Sequence, residues 1–292
     1  MPLSRNLMAR TRVEIHPTAA GLHGVLQLGR YNHTAARSQL PEHMHAGGME
    51  ICYLIKGCQT YRVGGRDFRL RGGDIFVTFP DEVHGTGGMP EEKGALYWLQ
   101  LRLPKKGESF LGLQISESRA MSEALLALPR RHFRGSRAMK DHLDTFTRLH
   151  YEPTGRLKTC AMANQLVAFL LEVVACAKSQ PQRPPARPIF HILQHIKNHL
   201  GEPLGVAELA KQAGLSEARF KVRFKEETGI PPGEYVLRAR IEEARRRLGK
   251  PGPAITRIAF DLGFSSSQYF ATVFKRFTGQ SPREVRSLSQ RN

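Results

Sequence analysis

Three histidines and a glutamate carry the first chemistry in this 292-residue chain: His43-x-His45, then Glu50, then His84. Imidazole nitrogens beside a carboxylate suit a mid-row divalent transition metal, and the His-x-His alternation sets both rings on one face of a strand. The same side chains also suit hydrogen bonding to a small ligand or packing of a loop, so both readings stand. Arg37 and Trp98 belong to the same half. A guanidinium can clamp a carboxylate through two bonds, and an indole offers a stacking face, although arginine is commonly solvated on strand edges and tryptophan commonly buried. A second kind of chemistry sits near the other end, where Lys221 and Gln268 match the hydrogen-bonding edges of guanine and adenine.

The elements that must position these groups differ between the halves. From about Val13 to Leu103 the chain reads as short strands with glycine-rich turns. They are Gly24–Gly29, Glu50–Ile55, Gln59–Val63, Asp74–Phe79 and Ala95–Leu103, a spacing that argues for a β-sandwich or barrel. Between Glu117 and Lys178 the apolar period becomes helical, with stripes at Ala120, Met121, Ala124, Leu125 and Leu128, then Leu143, Phe146 and Leu149, then Leu166 to Val174. Ser179 to Pro188 is polar and proline-rich, which predicts an extended linker. A helix over Ile189 to Leu200 follows, with His191, His195 and His199 four apart. No carboxylate or cysteine joins them, so they read as a stripe beside its apolar face.

Pro203 to Arg286 contains two segments that echo each other. Each has a short amphipathic helix with a central Ala (Ala210, Ala259), a break at Gly-apolar-Ser (Gly214-Leu215-Ser216, Gly263-Phe264-Ser265), and a second helix with paired phenylalanines (Phe220 and Phe224, Phe270 and Phe274). Each ends in Thr-Gly (Thr228-Gly229, Thr278-Gly279). Glycine tolerates positive φ at the tight turn, and Ser offers a hydroxyl to an orphan N–H at the next helix start. The tandem predicts two helix-turn-helix units joined by a helix over Gly233 to Leu248. That helix is expected to bury Tyr235, Leu237, Ile241, Ala244 and Leu248 and to turn Arg238, Arg240 and Arg245 to Arg247 towards solvent or phosphate.

Ile258-Ala259, Leu262-Gly263-Phe264-Ser265, Tyr269-Phe270, Val273 to Arg276, Gly279 and Ser281-Pro282 resemble the signature of AraC-type transcription regulators. Gly214-Leu215-Ser216, Phe224-Lys225-Glu226, Thr228-Gly229, Pro232, Tyr235 and Arg240 match the first half of the same domain. Ser266, where an acidic residue is common, and Val285, where an aromatic is usual, depart from the pattern. His43, His45, Glu50, Gly57, Gly72-Gly73-Asp74, Pro80 and His84 resemble the two motifs of the cupin barrel, which such regulators often use as a sensor. Enzymatic cupins hold a divalent metal at these His and Glu positions. Because sensing needs no metal, a metal-free effector pocket of Arg37, His43, His45, Glu50, His84 and Trp98 is preferred here. By position on the family motif, Ala218, Lys221, Val222, Ser267, Gln268 and Thr272 match base-contacting sites. Arg219 is exposed beside them, and Lys225, Arg257, Lys275 and Arg276 suit phosphates.

The net charge of +18 points to a polyanionic partner, and the residues from Arg187 onward carry 19 Lys and Arg against 10 Asp and Glu. Four cysteines without a CxxC pair read as reduced thiols rather than a zinc ribbon or disulfide framework. The N-terminus lacks the apolar run of a secretory signal and no stretch reaches the ~20 apolar residues of a bilayer span, so a soluble, cytoplasmic protein without a membrane partner is expected.

The fold expected is α+β in two domains. Residues 1–112 form a cupin-like ligand-sensing β-barrel, 113–178 a helical dimerisation region, 179–188 a linker, and 189–292 an all-α tandem helix-turn-helix domain. The function expected is a DNA-binding regulator, more an activator than a repressor on family grounds. Its partners would be double-stranded DNA at a bipartite site, a small-molecule effector, a second copy of the chain and RNA polymerase. The rivals are a metal cupin enzyme resting on His43, His45, Glu50 and His84, and a sequence-blind architectural protein; the pocket and Gln268 weigh against the latter.

Overall fold

The computed structural model describes residues 11–17, 21–153, 155–179 and 187–289, so most of the expected linker, 180–186, lies outside the described residues. The chain divides into two compact units. One comprises residues 1–33, 39–89 and 94–182, the other residues 34–38, 90–93 and 183–292.

Among the described residues the first unit is built on eight strands: β1 (Arg12–Ile15), β2 (Val25–His33), β3 (Gly48–Val63), β4 (Arg66–Arg71), β5 (Asp74–Thr78), β6 (His84–Gly85), β7 (Gly94–Arg102) and β8 (His132–Arg134). Their order is β1-β2-β7-β3-β5-β8, with β4 and β6 also paired to β3, and the pairings are antiparallel. The two strands expected at Glu50–Ile55 and Gln59–Val63 are one strand, β3. Gly57 does not end it. The register against β7 slips between Leu54 and Lys56, and Gly57 takes φ +98° while still facing Gly94. A bulge absorbs the extra residue and bends the strand without breaking it. The first part of β3 pairs with β5 and β7, the second with β4 and β6.

Alternation then gives the sheet two faces. Ile51, Tyr53, Leu99 and Leu101 enter one core with the helices α1 (Ile115–Leu126), α2 (Ala138–Tyr151) and α3 (Lys158–Lys178). The helices supply Met121, Leu125, Leu143, Phe146, Leu166, Phe169, Leu170 and Val173 to it. Ala120, expected in the first stripe, is exposed, and Ser118 and Ser122 take the buried positions beside Met121. α3 is long and apolar enough to cross a membrane by length and composition. Its buried stripe lies in this shared core, as in the core helix of a globular domain. Cys52, Leu54, Leu96 and Trp98 lie on the other face and form a second cluster with Tyr31, Tyr61, Val63, Leu70 and Phe76.

The second unit contains α4 (Arg187–Asn198), α5 (Val206–Gln212), α6 (Glu217–Thr228), α7 (Pro232–Leu248), α8 (Ile255–Asp261), α9 (Ser267–Thr278) and α10 (Pro282–Ser289). It has two cores. Ile189, Ile192, Ile196, Leu209, Ala210, Phe220 and Phe224 make one, and Ile258, Ala259, Leu262, Phe264, Phe270, Val273 and Phe274 make the other. α7 serves both, giving Val236 to the first and Ile241, Ala244 and Leu248 to the second. A helix packed at both ends is a stiff spacer between the units it joins.

Candidate nucleic-acid interface and ligand site

α5–α6 and α8–α9 are two turns of the same construction. Gly214 and Gly263 take φ of +67° and +70°, and Gly229 and Gly279, which end the second helices, take +80° and +77°. Thr228 and Thr278 each donate from the hydroxyl to a carbonyl one turn back, at 2.6 and 2.8 Å. The helix starts differ. Ser216 occupies the N-cap of α6 without a side-chain bond, whereas in α9 the cap is Ser266, whose hydroxyl accepts from the Tyr269 amide at 3.1 Å. The hydroxyl expected to cap from Ser265 is thus supplied one residue later. The departure from the family pattern at Ser266 keeps a capping side chain.

With the phenylalanines buried, Ala218, Arg219, Lys221, Val222 and Lys225 stand exposed along α6, and Gln268, Thr272, Lys275 and Arg276 along α9. Ser267 is half-buried, its hydroxyl donating to Gln268 Oε1 at 3.2 Å. Val222 is 59% exposed, unusual for a β-branched apolar residue in mid-helix. Lys221 is ion-paired one turn back to Glu217, and Arg257 one turn forward to Asp261 at 2.8 Å. These pairs lie on open surface, where they are worth little and yield readily to a stronger anion.

Two arginines of α7 are not where the sequence places them. Arg238 is buried, pairs with Glu234 at 3.1 Å and stands 5.1 Å from the Phe277 ring centroid. Burial works against the Glu234 charge, but the charges of Arg238 and Lys93 outweigh it and hold the carboxyl below its ordinary value. Arg240 donates to three backbone carbonyls, Leu200 at 2.9 Å, Gly263 at 3.0 Å and Glu202 at 2.7 Å. It fastens the second turn to the loop after α4. Counting apolar positions marks both as off the stripe, but not what they reach. His195 and His199 stack at 4.2 Å, with no third ligand joining them among the described residues.

In the first unit His43, His45, Glu50 and His84 come together. A bridge pairs the His43 and His84 backbones, and the ring centroids lie 4.3 Å (His43–His84), 5.1 Å (His43–His45) and 5.2 Å (His45–His84) apart. Glu50 Oε2 is 3.3 Å from His45 Nε2, and Oε1 is 3.6 Å from His84 Nε2. Burial disfavours the Glu50 charge, yet His45, His84 and Gln100 outweigh it and hold the carboxyl well below the usual carboxylate range. Burial likewise disfavours a charged His84, and the Glu50 carboxylate with the Glu82 carbonyl raises its value above the ordinary one.

Trp98 shares this face of the sheet. It lies across from Cys52 while Gln100 lies across from Glu50. It is 7% exposed, part of the second cluster, with Arg12 stacked 4.7 Å from its ring. Arg37 departs from the expectation. It is exposed on the 34–38 segment, which belongs to the second unit. Nothing in the run of residues between β2 and β3 fixes a strand face for it, so its charge alone was a poor guide. Gln100 was missed. Its amide donates to Glu50 Oε2 at 2.9 Å and to His45 Nε2 at 3.2 Å. Strand alternation with Trp98 could have found it.

Residues 27–155 match the AraC-like ligand binding domain and residues 209–287 a helix-turn-helix domain, together more than half of the chain. The HTH-type transcriptional activator RhaS of Escherichia fergusonii is 31% identical over 144 residues, which cover 48% of this chain and 51% of that protein. The chain thus spans about half the length of that relative. The uncharacterized HTH-type transcriptional regulator YfiF of Bacillus subtilis is 23% identical over 91% of this chain and 90% of its own. Among solved structures, the DNA-binding domain of AdpA in complex with a target DNA is 28% identical over 36% of this chain and 94% of its own, with a TM-score of 0.35. The twin helical turns of the second unit and the sheet of the first are those of one family, and the chain belongs to the AraC-type DNA-binding transcription regulators with an N-terminal ligand-binding domain.

Proposed function

We propose that this protein is a sequence-specific transcription activator that reads a bipartite DNA site and answers to a small-molecule effector held in its first unit. The observation that carries the reading is the pair of equivalent turns packed on the two ends of α7, each presenting an exposed helix. A helix fits the major groove, and two helices on one stiff spacer suit successive grooves about 34 Å apart. Within that placement Gln268 contacts adenine and Lys221 guanine. Ala218 and Val222 touch thymine methyls, and Arg219, Ser267 and Thr272 complete the base-facing set. Lys225, Arg257, Lys275 and Arg276 contact phosphates. The activating sign follows the name of the RhaS relative.

Residues 1–112 form the sensing part, with the effector held by His43, His45, Glu50, His84 and Trp98, all inside the matched ligand-binding stretch. Residues 113–178 make a homodimer, for which α3 offers Cys160, Asn164, Leu171 and Ala175 exposed. Residues 179–188 link this part to the reader at 189–292. RNA polymerase is the further partner an activator requires, and the cytoplasm, with the nucleoid, is where it works. Regulation rather than catalysis is supported by the relatives, which are named as regulators.

DNase footprinting on a bound promoter tests the reading. Protection of two blocks about one helical turn apart per protomer is expected. Protection confined to a single block would overturn it.

A further inference from the structure

Arg240 sits on α7 between Val236, which enters the first core of the second unit, and Ile241, which enters the second. Its guanidinium donates to three carbonyls: Nε to Leu200 at 2.9 Å, Nη1 to Gly263 at 3.0 Å and Nη2 to Glu202 at 2.7 Å. Leu200 and Glu202 flank Gly201 in the loop that follows α4, a helix of the first core, and Gly263 lies in the turn between α8 and α9. The loop and the turn also touch directly. A Cβ on Gly201 would lie 2.6 Å from the Asp261 carbonyl, and one on Gly263 would lie 3.0 Å from the Gly201 carbonyl. Leu200 packs against both cores.

α7 is 17 residues, roughly 25 Å, long. Joined by one helix alone, the two turns could tilt as side chains slide and repack along its sides. A second tie, away from the helix axis, removes that freedom. A guanidinium suits the tie because its flat fork holds several donors at fixed angles, whereas an ammonium is a single point on a flexible stem.

We propose that Arg240 is a positioning residue for DNA reading: with Gly201 and Gly263 it locks the loop after α4 to the second turn, and this lock sets which separation of the two DNA blocks the protein accepts. The inference rests on the bipartite reading proposed above. One added base pair turns the second block by about a tenth of a helical turn and moves it ~3.4 Å along the axis. Locked readers cannot follow that displacement with both helices in their grooves, whereas readers joined by α7 alone can tilt to follow it. Arg240 thus governs the choice of spacing without touching DNA itself.

The test uses the full-length protein and duplexes carrying the two blocks recovered by selection, at the selected separation or one base pair shorter or longer. A one-block duplex is the control, and fluorescence anisotropy over a salt series gives the affinities. Wild type is expected to prefer the selected separation by about tenfold or more, the scale of one mismatched base pair. Arg240→Lys keeps the charge and loses the fork, and Gly201→Ala keeps the guanidinium and pushes the loop off the turn. In both, the preference is expected to fall to near equality. One-block affinity is expected to be unchanged in each, which shows that the turns are folded. Arg240→Gln is expected to keep the wild-type salt slope on the one-block duplex; a slope lower by about 1 would make Arg240 a phosphate contact and overturn the positioning role. A spacing preference retained in Arg240→Lys and Gly201→Ala overturns the lock alone, and one-block binding lost in every variant makes Arg240 a folding residue and overturns it too. A wild type indifferent to separation overturns the bipartite reading itself.

Discussion

At the scale of residues, function on DNA divides between side chains that choose and side chains that hold. Gln268→Ala is expected to cost about 1–3 kcal/mol of discrimination at one position of the site and little elsewhere. Lys275→Ala is expected to weaken binding alike on all sequences and to lower the slope of log affinity against log salt by about 1. Both effects are read by fluorescence anisotropy on matched and mismatched duplexes over a salt series. The sequence made these positions legible because burial of Phe220, Phe224, Phe270 and Phe274 fixes the helix phase and so leaves the others outside. It did not make Arg240 legible, since an arginine off the apolar stripe reads as solvated until the carbonyls of Leu200, Glu202 and Gly263 are seen around it. Nor did it reveal Gln100, whose role depends on cross-strand register with Glu50.

At the scale of elements, the two turns look alike but differ in tolerance. A Cβ at Gly214 would meet nothing within 4 Å, whereas at Gly263 it would lie 2.7 Å from Arg240 Nη2 and 3.0 Å from the Gly201 carbonyl. Gly214→Ala is therefore expected to lose only the left-handed backbone cost of about 1–2 kcal/mol, and Gly263→Ala clearly more, in urea unfolding of the full chain. α7 is the element that joins the two turns. Near its end Glu243 bonds Arg246 at 2.6 Å and Arg247 at 2.7 Å. Arg246 foremost, against a burial cost and with help from Arg247, lowers its carboxyl from 4.5 to about 2. A lowered carboxylate value stabilises the fold above the ordinary value and loses that effect as pH falls towards the folded one. Glu243→Gln should thus lower the melting temperature slightly at pH 7, within the ~1 kcal/mol of an exposed pair, and the gap to wild type should close between about pH 4.5 and 2. A gap that stays constant across that range would show that the ion pair contributes nothing to stability. Gly57 resembles a turn in a linear reading, and only pairing with β7 shows that the strand bends there and continues.

At the scale of the whole molecule, the sequence shows two kinds of chain. Strand alternation and helical period separate the first unit's sheet and helices from the all-helical second unit, because each period is set by residues a few positions apart, whichever core they enter. What it could not show was the segments 34–38 and 90–93, which lie in the first half of the chain yet belong to the second unit. Membership of that kind depends on tertiary contact, and no local period records it. Arg37 was misplaced for this reason. If α3 carries the dimer contact, Leu171→Arg, at a side chain 56% exposed, should shift the sedimentation coefficient from dimer to monomer while leaving the melting temperature nearly unchanged.

Two equivalent helices are proposed to read two blocks of one DNA face. Selection of bound sequences from a random duplex pool by the full-length protein, at near-physiological salt, tests it most directly. The expected result is a bipartite motif with blocks about one helical turn apart, the second block losing definition in Gln268→Ala. A pool that shows no motif, with binding that vanishes steeply as salt rises, would contradict it and leave only the attraction between a basic surface and phosphate.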